Sequence, residues 1–285
     1  MTITRIKKEI VGLEQEIHMV LAALKARLPV MLEGDAGTGK TELAKVVGRA
    51  LQQEVLRVDG DPELTAFKLQ GWFDPPLVLQ KGYQWETFIP GPLTSAMLQG
   101  GIFFFNEVNR APSESLNAVL SALDERILNI PRLAAIKAKD AFMSIFTMNP
   151  YDRIGTNPLP KAFYDRCVWI GMDHQPLEKA IEIVRMRTGE RDAEILRSIC
   201  QIVEVTRNHP SIERGASVRA AIHIIRMIQS LRGEAKPPSM AEIEYLCMMA
   251  LSKNIKPTYD TAKSPEELVK EIVEEVMSKK KLFAL

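Results

Sequence analysis

The sequence predicts an α/β protein: a parallel sheet flanked by helices over residues 1–175, joined to a smaller all-α unit over 176–285. Three observations carry that expectation. Short apolar runs alternate with helical periodicity through the first half, the pattern of a sheet built from βαβ units. The first of these runs leads into a glycine-rich turn and then a helix. From Pro176 onward only long helical patterns remain.

The elements follow in order. PVMLE (29–33) is the first buried strand, and Leu43, Val46, Val47, Ala50 and Leu51 then recur at helical spacing. EVLRVD, GIFFF, FMSIFTM and CVWIG supply four more strands, the last from Cys167 to Gly171. In the second unit EKAIEIVRMR, EILRSICQIVEVTR, SVRAAIHIIRMIQSL and AEIEYLCMMALS read as helices. A last helix opens at Ser264, where Pro265 suits the first turn and Glu267 can close a capping box. Its apolar face is Leu268, Ile272, Val273 and Val276.

Composition narrows the function classes. A chain of 285 residues has room for two modest domains with proper cores. Lys and Arg total 37 against 36 acids, so no global field favours nucleic acid or an anionic membrane. Cys167, Cys200 and Cys247 stand far apart without CxxC spacing, which argues against zinc or a disulfide framework and for a reducing compartment. The N-terminal residues lack the apolar core of a signal peptide, and no stretch reaches the roughly 20 apolar residues of a membrane span. The expected location is the cytoplasm, with no membrane contact.

Residues Gly34, Asp35, Ala36, Gly37, Thr38, Gly39, Lys40 and Thr41 match G-x-x-x-x-G-K-[ST] at every position, between a strand and a helix. Glycines let such a loop turn its backbone N–H groups inward onto phosphate oxygens, and the helix N-terminus adds its positive end. Lys40 is expected to reach the β- and γ-phosphates, and Thr41 to offer its hydroxyl to Mg²⁺. ATP and Mg²⁺ are therefore the expected cofactors.

IFFFNE (102–107) delivers Asn106 and Glu107 to the carboxyl end of a buried strand, where active sites of open α/β sheets lie. An aspartate usually stands at the position of Asn106 in phosphate-loop hydrolases. Asn106 keeps an acceptor oxygen for the magnesium shell but lacks the charge. Glu107 is the candidate general base.

The run NEVNRAPSESLNAVLSALDERILNIP resembles the MoxR family of AAA+ ATPases, in the helix-2-insert clade, whose members read D-E-I-N-R-A-P here. LVLQKGYQWETFIPGPLTSAMLQGG resembles that family's insertion, IFTMNP its A-T-Q-N-P, LPKAFYDRC its L-P-E-A-x-x-D-R-F, and GASVRA its G-x-S-x-R-A. The matches run in family order from about residue 8 to residue 221. The resemblance implies an AAA+ phosphate-loop core with a helical lid. It assigns Asn149 as the sensor that orients the attacking water, Arg166 as an arginine finger acting on a neighbouring subunit, and Arg219 as the lid's nucleotide sensor. Arg153 is a second finger candidate. Each arginine has a plainer reading as a solvated or ion-paired side chain, and Asn149 as a turn former before Pro150. A finger acting in trans implies a homo-oligomeric ring, a hexamer, working on a protein client or with a separate von Willebrand factor A domain partner.

Residues 65–100 form the expected insertion, with Phe67, Trp72, Phe73, Tyr83, Trp85 and Phe88 either contacting substrate or packing on the core. The strands around Ile127–Ile136 are expected to pair as a hairpin carrying Arg132 and Lys137. Lys279 to Lys281 suit a helix C-terminus. Three readings of function remain at this level. One is an ATPase that remodels, activates or loads cofactor into partner proteins. Another is a nucleotide-gated scaffold with weak hydrolysis owing to Asn106. The third is a nucleic-acid-stimulated ring motor, which the near-neutral charge disfavours.

Overall fold

The computed structural model describes residues 2–151, 156–231 and 239–281. The chain divides between Asp173 and His174 into two compact units. In the first, five strands form one sheet: β1 (Val30–Glu33), β2 (Val55–Asp59), β3 (Ile102–Asn106), β4 (Met143–Met148) and β5 (Val168–Gly171). Their spatial order is β2-β3-β4-β1-β5 and every neighbouring pair is parallel. All five expected strands lie in this sheet, with their carboxyl ends along one edge.

Helices cover both faces, which explains why β3 is apolar at four consecutive positions instead of alternating. Ile102 and Phe104 point into one cluster with Val30, Leu32, Leu43, Val46 and Ile145. Phe103 and Phe105 point into the other, with Met31, Leu93, Met97, Leu116 and Phe146. Two helices, Thr2–Glu9 and Glu14–Lys25, precede the first strand and close the first cluster with Ile6, Ile17, Val20 and Leu24. The sequence expectation did not include them.

The insertion is itself structured. Helices Ala66–Gln70, Pro75–Lys81 and Pro92–Gln99 surround an antiparallel pair, Gly71–Phe73 with Phe88–Pro90. Phe73 meets Tyr83 and Phe88 edge-on at 4.9 and 5.2 Å, so these rings pack on one another. Phe88 is buried in the core, while Phe67, Trp72, Tyr83 and Trp85 stay exposed, so the set both packs on the core and presents rings to solvent. Ile127–Leu128 pairs antiparallel with Ile136–Lys137 as the expected hairpin. The Arg132 guanidinium, between those strands, sits 4.0 Å from the Tyr83 ring centroid and ties the hairpin to the insertion.

The second unit packs helices Leu177–Thr188, Ala193–Asn208, Val218–Leu231, Met240–Leu251 and Pro265–Lys281. Their apolar faces share one core through Val184, Ile199, Ile202, Ile224, Ile228, Cys247, Leu251, Leu268 and Val273. Ser264 and Glu267 form the expected capping box: the Ser264 N–H donates to Glu267 Oε2 at 2.7 Å, and the Glu267 N–H donates to Ser264 Oγ at 3.2 Å. The all-α expectation needs one correction, because Ile212–Arg214 pairs antiparallel with Lys256–Pro257. Strands of three and two residues are too short to show alternation. Lys279–Lys281 end the last helix, and their side chains lie outside the described residues, as does Arg153. Among the described residues no helix is long and apolar enough to cross a membrane.

Candidate active site

The phosphate loop joins the end of β1 to the helix Lys40–Leu51, as its sequence requires. Gly39, at the helix start, has φ 99°, a conformation that a side chain would strain. Gly34 is constrained by space instead, since a Cβ there would stand 2.2 Å from the Met172 carbonyl oxygen just beyond β5. The Asp35 carboxylate accepts from the Ala36 N–H at 2.6 Å, and Thr38 Oγ1 donates to the Asp35 carbonyl at 3.0 Å, which fixes the loop's shape. Lys40 is buried, and its ammonium donates to the carbonyls of Gly34 and Asp35, each at 2.7 Å.

The end of β3 stands beside this loop. Thr41 Oγ1 donates to Asn106 Oδ1 at 3.0 Å, and Thr147 Oγ1, on β4, donates to the same oxygen at 3.0 Å. Asn106 Nδ2 donates to Asp59 Oδ1 at 2.8 Å. A carboxylate only accepts, so the amide must turn its nitrogen toward Asp59 and its oxygen toward the two hydroxyls. Burial works against ionisation of Asp59, but hydrogen bonds from Arg57 and Asn106 and the charges of Arg57 and Lys45 outweigh it. They hold its carboxyl below the usual aspartate range.

This donor set fits magnesium. Thr41 spends its hydroxyl proton on Asn106, so its oxygen keeps lone pairs for a hard cation. Asn106 Oδ1 already accepts two hydrogen bonds, so its part is to orient Thr41 from an outer position.

Glu107 adopts the left-handed region, φ 53° and ψ 49°, uncommon for a residue with a side chain. Its N–H donates to Thr147 Oγ1 at 2.9 Å, which turns the chain out of the sheet and exposes the carboxylate beside Arg110. Asn149 is buried just past β4, and its Nδ2 reaches Asp35 Oδ1 at 3.4 Å, so the expected sensor touches the phosphate loop. It also accepts from the Tyr151 N–H at 3.1 Å, so the turn-forming role holds together with that contact. Arg166 lies apart from this group. It is ion-paired with Asp124 and donates to the Ala162 carbonyl at 3.0 Å. Arg219 is exposed in the first turn of Val218–Leu231, in the second unit.

Sequence reasoning missed Asp59, Thr147 and Arg110. Asp59 closes the strand EVLRVD, and only the adjacency of β2 and β3 reveals its bond to Asn106. Thr147 lies inside an apolar run where it reads as filler.

Residues 29–167 match the family model for an AAA domain of the dynein-related subfamily. These residues form an AAA domain. The phosphate loop, Asn106, Glu107, Asn149 and Arg166 all fall inside it. The chain is 29% identical over 258 residues to the gas vesicle ATPase GvpN of Ancylobacter aquaticus, covering 82% of this chain and 70% of that protein. It is 30% identical over 210 residues to the gas vesicle ATPase GvpN1 of Halobacterium salinarum, covering 68% of this chain and 60% of the relative. Among solved structures, a candidate ATPase from Cytophaga hutchinsonii superposes with a TM-score of 0.55 at 21% identity, covering 96% of this chain and 92% of that one. NtrX from Brucella abortus, solved with ADP, gives 0.57 at 15% identity over 81% of this chain and 52% of NtrX. The AAA domain thus has the AAA+ fold, with a mostly helical unit following it.

Proposed function

We propose that this chain is a MoxR-like AAA+ ATPase that turns over ATP in a ring assembly to remodel, activate or load cofactor into partner proteins. The observation that carries the ATPase reading is the bond from Thr41 to Asn106, which brings the phosphate loop and the end of β3 to one point. The relatives named as ATPases support it.

Magnesium, when bound, would neutralise charge on the β- and γ-phosphate oxygens. In the same reading the loop N–H groups and the Lys40 ammonium hold those oxygens, with Lys40 exchanging the Gly34 and Asp35 carbonyls for them. Glu107 accepts a proton from the attacking water, and Asn149 orients that water. Arg166 serves the nucleotide of the neighbouring subunit, and Arg219 reports nucleotide state to the helical unit. A closed ring of head-to-tail contacts, a hexamer in the family pattern, supplies that neighbour. The client is a protein, reached directly or through a von Willebrand factor A domain partner, in the cytoplasm.

Magnesium-dependent phosphate release tests the reading. Wild-type turnover should exceed that of Lys40→Ala; equal rates would overturn it. Asn106 favours a second reading, a nucleotide-gated scaffold. That reading predicts assembly on ATP with no turnover above Lys40→Ala.

A further inference from the structure

Asn106 removes a negative charge from the place where phosphate-loop hydrolases usually keep one, yet a carboxylate stands one strand away. Asp59 and Asn106 are direct partners in the β2–β3 ladder, at the carboxyl ends of both strands. The contact is a single 2.8 Å hydrogen bond from the Asn106 amide to Asp59 Oδ1. Arg57 grips the same carboxylate, with Nε 3.1 and 3.0 Å from its two oxygens and Nη2 2.6 Å from Oδ1. Lys45 is the other cation that acts on it.

We propose that Asp59 is the positioning carboxylate of the magnesium site, acting through the Asn106 amide on Thr41. The chain of contacts is directional. Asp59 draws the amide nitrogen, which leaves Asn106 Oδ1 facing Thr41 and draws the hydroxyl proton away from the cation's side. The polarised amide passes part of the carboxylate's negative potential toward Thr41, the part that Arg57 and Lys45 leave uncompensated. Arg57 fixes the carboxylate in that pose. The inference rests on the ATPase reading above.

The test measures binding of a fluorescent ATP analogue to the full chain, titrated with Mg²⁺ and repeated in EDTA. Asp59→Asn should raise the Mg²⁺ concentration for half-maximal enhancement by roughly tenfold or more, the usual cost of losing an outer partner of a metal ligand. Binding in EDTA should not change. Exchanging the pair, Asp59→Asn with Asn106→Asp, should restore the wild-type requirement, because the charge returns to the strand beside Thr41. A wild-type Mg²⁺ requirement in Asp59→Asn overturns the inference. So does an exchanged pair that still needs more Mg²⁺ than wild type, and this second arm stands even where the single variant fails to fold. Lys40→Ala separates the two proposals: if it binds the analogue as wild type does, the ATPase reading itself fails.

Discussion

Glu107 Oε2 lies 3.0 Å from Arg110 Nε across a single 3-10 turn. Both side chains are about 40% exposed, and a pair in that setting is worth less than about 1 kcal/mol. Glu107 is therefore held at its carboxylate by a contact that costs little to break. Its left-handed backbone, held by Thr147, sets its direction more firmly than Arg110 does.

Glu107→Gln keeps that geometry and removes the carboxylate proposed as the base. Phosphate release should fall by about 100-fold or more, while binding of an ATP analogue stays intact. Turnover within twofold of wild type would remove Glu107 from the role.

Arg166 is held by Asp124 within its own subunit, and both side chains are partly exposed. A partner at that exposure is readily exchanged. Arg166→Ala should lower turnover by about 1000-fold, the usual worth of such an arginine. Mixing it with Lys40→Ala subunits should recover activity, since some joints would then pair an intact loop with an intact arginine. Mixtures no more active than their components would place Arg166 outside any shared site.

The four apolar residues of β3 are fully buried, with Phe103 and Phe104 on opposite faces. Phe104→Ala should cost about 3–5 kcal/mol in urea unfolding of the first unit. A loss below about 1 kcal/mol would mean that the sheet face refills easily.

The strands were legible because each is a continuous apolar run ended by a turn, and the phosphate loop because glycine spacing is a local property. The placement of Asn106, Glu107 and Asn149 was legible for the same reason, since Asn106 ends one such strand and Glu107 and Asn149 each follow directly on one. Asp59 was not, because its meaning comes from β3, whose partner residue is 47 positions away in the chain. The Asp124–Arg166 pair is hidden in the same way, across 42 positions. The helices before β1 went unassigned for lack of a motif, although Ile6, Ile17 and Val20 are completely buried.

Burial pushes the thiols of Cys167, Cys200 and Cys247 up to about 12, the last with no opposing charge. At neutral pH all three are protonated and shielded, so iodoacetamide should label the native chain slowly and the urea-unfolded chain fast. Rapid labelling of the folded protein would show that the cores open.

Asp59 has a lowered carboxyl in the folded chain, against the ordinary 3.8. Its contribution to stability is therefore complete above that value and is lost as pH falls through the folded one. In melting curves taken below about pH 5, wild type should lose stability more steeply with acid than Asp59→Asn. Parallel curves would mean that Arg57 and Asn106 give the carboxylate no net advantage.

The Met172 N–H donates to the Glu33 carbonyl at 2.7 Å, while its own carbonyl oxygen fills the space where Gly34 would carry a side chain. The chain crosses into the second unit one peptide later, after Asp173. The first glycine of the phosphate loop thus bears directly on the backbone just beyond β5, with no side chain between them. Gly34→Ala should therefore displace the backbone after β5 as well as disturb the loop, read as weaker binding of an ATP analogue together with a lower urea midpoint of the first unit.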